Sequence, residues 1–147
     1  QVRVRNQLNR MEALRKRFSE SSEFSPGGVQ VHSHEIQFIK IIVRHTEEHI
    51  ADPEFDVRDL KDVVGMSYTQ VYRKTLALTG KTPGKLIREI RLENAARLLR
   101  NNHDSITSIA LECGFQNPSY FASCFRKKYG VTPRRFMAEQ AHTETTD

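Results

Sequence analysis

The sequence predicts an all-α protein: tandem helix-turn-helix motifs joined by a long central helix, about seven helices in all, with a further linker helix at the N-terminus. Three observations carry this. From Glu35 onward apolar residues recur at three- and four-residue spacing, and no segment alternates as a strand does. Most of the helical segments open on a recognisable cap. Finally, the block "GMSYTQVYRKTLALTGKTP" at 65–83 returns in outline as "GFQNPSYFASCFRKKYGVTP" at 114–133.

Taken in order, "QVRVRNQLNRMEALRKRF" sets Val4, Leu8, Met11, Leu14 and Phe18 on one amphipathic stripe. It has no starting cap, as if it continued from something larger. "SESSEFSPGG" at 19–28 reads as a linker, and "VQVHSH" as a short extended piece. Residues 1–34 are therefore expected to be a helix plus linker, 35–140 the domain, and 141–147 a disordered tail. "EIQFIKIIVRHTEEHI" places Phe38, Ile39, Ile42, Val43 and Ile50 on one face and stops before Asp52-Pro53.

Asp56 then caps "VRDLKDVV", and Ser67, with Gln70 three residues on, forms a capping box for "YTQVYRKTLAL". Thr82-Pro83 opens a helix reaching about Asn101, and Ser105 opens "ITSIALEC". Asn117-Pro118 starts "SYFASCFRKKY", with proline at the first helical position where its missing N–H is harmless. A second Thr-Pro, at 132–133, opens a last short helix around Phe136.

In the two blocks Gly65 and Gly114 lie 49 residues apart, and Gly80 and Gly130 lie 50 apart. Each block is the close of one helix, a glycine, a tight turn and a second helix ending at another glycine. That is the outline of a helix-turn-helix, whose second helix can enter a major groove. In the first block Val71, Thr75 and Leu78 should face inward, leaving Thr69, Tyr72, Arg73 and Leu76 outside. In the second, Tyr120, Phe121, Cys124, Phe125 and Tyr129 should face inward, leaving Ser119, Ala122, Ser123, Arg126 and Lys127 outside. The 19 residues from Pro83 to Asn101 make a rod of about 28 Å, against a groove repeat of about 34 Å.

Charge points the same way. The formal net charge is +5. Residues 25–55 carry two basic and five acidic side chains, whereas 81–140 carry eleven basic and five acidic. A polyanion is the fitting partner for the C-terminal half.

The pieces "GMSYTQVYRKTLALTGKTPGKLI", "IREIRLENAARLLRN" and "ITSIALECGFQNPSYFASCFRKKYGVTPRRF" resemble the two-motif DNA-binding domain of AraC-type transcription regulators over about residues 36–139. The first motif is further similar to the output domains of hybrid two-component sensors, in which such a domain follows a receiver. The first helix is similar to the end of a receiver's last helix. The resemblance implies base reading by Thr69, Tyr72 and Arg73 in the first motif, and by Gln116, Asn117, Ser119, Ala122 and Ser123 in the second. Backbone contacts would come from helix N-termini, Arg126 and Lys127. Three positions depart from the pattern. Ser123 stands where many relatives carry a basic residue, Thr75 where a large apolar one is usual, and Leu76 where lysine is.

The implied partners are double-stranded DNA, a second copy through upstream regions, and RNA polymerase. A cytoplasmic location follows, tethered to the inner membrane face if the parent is a hybrid sensor kinase. No small-molecule ligand, cofactor or metal is expected. His45 and His49 have metal-compatible spacing but lack the glutamate that follows the first histidine in zinc hydrolases. Cys113 and Cys124 fall on apolar stripes and read as buried free thiols. Nothing resembles a phosphate loop, a nucleophile elbow or paired carboxylates, so no enzyme is expected. The rival reading is a helical protein–protein interaction module; RNA binding is weaker, for want of an aromatic platform on a sheet.

Overall fold

The computed structural model describes residues 28–101 and 104–145, and among them there are seven helices and no strand. They are α1 (Gly28–Glu48), α2 (Val57–Val64), α3 (Tyr68–Thr79), α4 (Pro83–Asn101), α5 (Ile106–Glu112), α6 (Pro118–Tyr129) and α7 (Pro133–Thr145). The helix expected within residues 1–24 lies outside the described residues. Two compact units result, one from residues up to 48 with 56–87, the other from 49–55 with 88 onward. Helix α4 runs from the first into the second.

In the first unit, α1 buries Phe38, Ile39, Ile42 and Thr46. It starts at Gly28, so the piece expected to be extended, "VQVHSH", is helical. Alternating valines suggest a strand, but a lone strand has nothing to bond to, whereas a helix satisfies its backbone internally. The helix also ends at Glu48, which leaves Ile50 outside it. Thr46, whose hydroxyl donates to the Ile42 carbonyl at 2.7 Å, completes the buried stripe instead.

Helix α2 is held at its start by reciprocal bonds. The Asp56 carboxylate accepts from the Arg58 N–H (2.8 Å), and Asp59 accepts from the Asp56 N–H (2.8 Å). The Arg58 guanidinium, 2.9 Å from the same carboxylate, holds Asp56 below the usual carboxylate range. Leu60 is the buried residue of this short helix.

Helix α3 has the capping box the sequence predicts. Ser67 Oγ accepts from the Gln70 N–H (3.3 Å), and Gln70 Oε1 from the Ser67 N–H (3.0 Å). Val71, Thr75 and Leu78 face inward as expected. Lys74 Nζ lies 4.9 Å from the centre of the Phe38 ring, which ties α3 to α1.

Three threonines of this unit behave differently. Thr46 and Thr79 each donate to the carbonyl four residues back, both at 2.7 Å. The Thr75 hydroxyl is fully buried and has no hydrogen-bond partner. Thr75→Val, which exchanges that hydroxyl for a methyl of the same shape, is expected to stabilise the protein by about 1 kcal/mol. A thermal melt should show the midpoint rising by about 4 °C, and an unchanged or lower midpoint would contradict the account.

The second unit has an aromatic core. Phe115, Phe121, Phe125 and Phe136 pack with Leu92, Leu99, Ile109 and the small residues Ala95, Ala96 and Ala110. Successive ring centroids lie 5.0 Å (Phe115–Phe121), 5.8 Å (Phe121–Phe125) and 5.3 Å (Phe125–Phe136) apart, all tilted or edge-on. Cys113 fills a gap in this core as a free thiol, and burial pushes its pKa up to about 11. Cys124 is also free but only half-buried. The last helix is longer than expected and takes in 141–145, which composition had assigned to the tail. Strong helix formers (Met137, Ala138, Glu139, Gln140, Ala141) and an Arg135–Glu139 pair at 3.2 Å favour its continuation.

One polar side chain organises this unit. Arg91 of α4 is 6% exposed. Its Nη1 donates to the carbonyls of Ile50 and Cys113, and its Nη2 to those of Asp52 (2.9 Å) and Phe55 (3.2 Å). Burial works against its charge and lowers its pKa from the ordinary arginine value. The guanidinium thereby fastens the 49–55 segment to the end of α5. It passes directly over Gly114, whose φ of +86° and missing Cβ leave it room.

Candidate nucleic-acid interface

The second helix of each motif presents its predicted face to solvent. On α3, Thr69, Tyr72 and Arg73 are exposed, with Leu76 beside them. No ion pair engages Arg73 among the described residues, and 68–79 contains no carboxylate. On and before α6, Gln116, Asn117, Ser119, Ser123, Arg126 and Lys127 are exposed, while Ala122 is half-buried.

Local chemistry fixes how these groups can act. Asn117 Oδ1 already accepts from the Ser119 N–H (2.9 Å) and the Tyr120 N–H (3.1 Å), so only its amide nitrogen remains for an outside acceptor. The Gln70 N–H is likewise committed to its cap. Free N–H groups at the helix N-termini are therefore fewer than the sequence suggested. On α3 the Tyr68 and Thr69 N–H groups remain at the first turn, and Pro118 offers none on α6.

Three cations at the end of α6 divide by burial. Arg126 and Lys127 point to solvent, whereas Lys128 is half-buried with its Nζ 3.8 Å from Glu89 and 3.5 Å from Glu93. Lys128 thus anchors α6 on α4, while its two neighbours stay exposed.

Tyr120 is a correction. It was expected in the inward stripe, yet it is 51% exposed, and its hydroxyl accepts from Arg88 Nη1 at 3.2 Å. Its ring lies tilted against Phe115, at a centroid distance of 6.3 Å. That bond raises the Arg88 pKa above the ordinary arginine value. Periodicity places residue 120 at the margin of the apolar stripe, where the phenol oxygen decides for the surface. The Arg88–Tyr120 pair therefore joins the exposed face of α6, which the sequence reading missed. His45 faces the Glu48 carboxylate at 3.8 Å, and the His49 ring stacks on Phe55 at 5.0 Å.

A family profile described as a helix-turn-helix domain matches residues 60–139, more than half of the chain. Among solved structures, a transcriptional regulator of the AraC-type DNA-binding domain-containing proteins from Chromobacterium violaceum is 30% identical. It covers 74% of this chain and 96% of its own, with a TM-score of 0.68. The chain belongs to the AraC-type helix-turn-helix family. Its tandem motifs form a DNA-binding domain of transcription-regulator type, and the reading as a purely protein-binding module gives way to it.

Two further likenesses bear on its use. The DNA-binding domain of the global transcriptional factor AdpA, solved in complex with a target DNA, is 26% identical with a TM-score of 0.67, covering 75% of this chain and 97% of that one. Histidine kinase P4 of Formosa agariphila is 34% identical over 136 residues, 92% of this chain. The chain spans only 10% of that kinase's length. The AraC-type fold and family are those of DNA-binding regulators, not of enzymes. No described helix is long and apolar enough to cross a membrane.

Proposed function

We propose that this AraC-type domain is the DNA-reading output of a two-component regulator and that α3 and α6 each enter a major groove. The observation that carries it is the pair of exposed helix faces. Thr69, Tyr72 and Arg73 stand on a capped helix without a carboxylate, and Ser119, Ser123, Arg126 and Lys127 stand on a second helix whose other cation, Lys128, is tied inward. Arg73 can donate two bonds to guanine O6 and N7. Arg126 and Lys127 suit phosphates, and the small hydroxyls of Ser119 and Ser123 suit any base edge. Gln116, Asn117 and Ala122 border the same face. The match to a histidine kinase over nearly the whole chain supports a signalling parent, in which a receiver or kinase precedes the domain. Such a parent supplies the dimer that pairs two copies on repeated sites, with RNA polymerase as the downstream partner, inside the cytoplasm.

The test is selection from a random-duplex pool at two salt concentrations. A bipartite site with halves about one helical turn apart supports the reading, and absence of binding even at low salt contradicts it. Two variants separate the roles. Arg73→Ala is expected to cost about 1–3 kcal/mol and to relax preference at one base pair. Lys127→Ala is expected to weaken all sequences alike and to reduce the salt slope by about one.

A further inference from the structure

Helix α3 shows solvent an apolar stripe that the contacts of Arg73 do not explain. Tyr68 is 49% exposed, Tyr72 36% and Leu76 43%. They are spaced four residues apart, so they share one side of the helix, and the two tyrosine rings lie 6.3 Å apart. Just inside this line sits Thr75, fully buried, so at 75–76 the polar residue is within and the apolar one without. Single exposed hydrophobes are ordinary, but three in register on a surface helix mark a contact.

We infer that Tyr68, Tyr72 and Leu76 read the C5-methyl groups of thymines in the half-site under α3, making that half-site thymine-dependent. The inference rests on the placement of α3 in a major groove. On the floor of that groove the hydrogen-bonding edges of the bases are polar, and the thymine methyl is the apolar feature. Leucine has no donor or acceptor, so a methyl is the base contact open to Leu76. From residue 68 to 76 the helix advances about 12 Å, or three to four base pairs at about 3.4 Å each. The face of α6 differs. Its exposed side chains, Ser119, Ser123, Arg126 and Lys127, are polar, Ala122 is half-buried, and Tyr120 is tied to Arg88. Thymine dependence therefore belongs to one half of the site.

The experiment uses this chain and its selected duplex, with thymines replaced by deoxyuridine in one half at a time. This removes the methyl and keeps the pairing edge. The half read by α3 is the one whose base preference relaxes in Arg73→Ala. In that half each lost methyl should weaken binding about four-fold, and in the other half less than two-fold. Leu76→Ala, an exposed change whose helicity circular dichroism can check, should abolish the sensitivity at one position. If deoxyuridine has no effect while Arg73→Ala still weakens binding, α3 is in the groove and the inference alone falls. If Arg73→Ala is also neutral, the placement of α3 falls and takes the inference with it. A selected half-site without thymine overturns it too. So does Leu76→Lys that binds more tightly with thymine preference unchanged, which would assign the stripe to a partner protein.

Discussion

Arg91→Met is expected to destabilise the second unit by about 4 kcal/mol. The arginine is almost fully buried, and its partners are four backbone carbonyls, those of Ile50, Asp52, Phe55 and Cys113. Methionine replaces the apolar stem but supplies no donor. Each carbonyl then keeps its desolvation cost without a bond, unless the 49–55 segment detaches to meet water. A loss of that size is a large part of the about 5–15 kcal/mol that stabilises a typical domain. Denaturant unfolding followed by the tyrosines of α6 should show the midpoint falling steeply. Hydrogen exchange should show the helices of the second unit losing protection. A shift below about 1 kcal/mol would mean that the carbonyls find water at no cost and that the arginine is an accessory.

Gly114→Ala should be nearly as severe, for a separate reason that meets the first at the same atoms. A Cβ at 114 would stand 1.8 Å from Arg91 Nη1 and 2.7 Å from the Ile50 carbonyl oxygen, and the backbone there has φ of +86°. The left-handed backbone alone costs an alanine about 1–2 kcal/mol. Displacing the guanidinium forfeits its carbonyl bonds as well, so about 3–5 kcal/mol in total is expected. Gly65→Ala is the internal control. Its φ is +65° but nothing lies within 4 Å of the added carbon, so only the backbone cost of about 1 kcal/mol should appear. The two large effects should not add. In the Arg91→Met background the clash with the guanidinium is gone while the one with the Ile50 carbonyl remains, and a double-mutant cycle should show coupling above about 1 kcal/mol.

The helix caps, the closing glycines and the inward face of α3 were legible in the sequence because each depends on residues within one helical turn. Ser67 needs only Gln70, and Asn117 needs only the N–H groups of Ser119 and Tyr120. Arg91 was not legible, since charge usually marks solvent. A signal did exist: residue 91 falls between Ile87 and Ala95 on the buried stripe of α4, where a cation has no reason to be unless something buried accepts from it. Tyr120 failed for the converse reason. An aromatic ring next to Phe121 was counted as core, but its hydroxyl required a partner, and Arg88 supplied it from 32 residues away. The helical course of 28–34 was missed because alternating valines mimic a strand. Within the candidate site, exposure followed from helix phase at Thr69, Tyr72, Arg73, Ser119 and Ser123. The inward turn of Lys128 depends on Glu89 and Glu93, which no local pattern announces.

The segment 49–55 precedes the first motif in the chain but is fastened into the second unit by Arg91. Genetic exchange between relatives would therefore find no single seam here. A crossover in the first half of α4, before residue 91, brings a foreign arginine to the resident carbonyls of Ile50, Asp52 and Phe55, and the length of the stretch from His49 to Phe55 must agree for the join to hold. Deleting one residue within that stretch should spare the motif next to it and cripple the one further along. The tandem motifs are repeated in sequence without being separable as parts, and natural duplicates should tolerate drift in these seven residues far better than a change in their number.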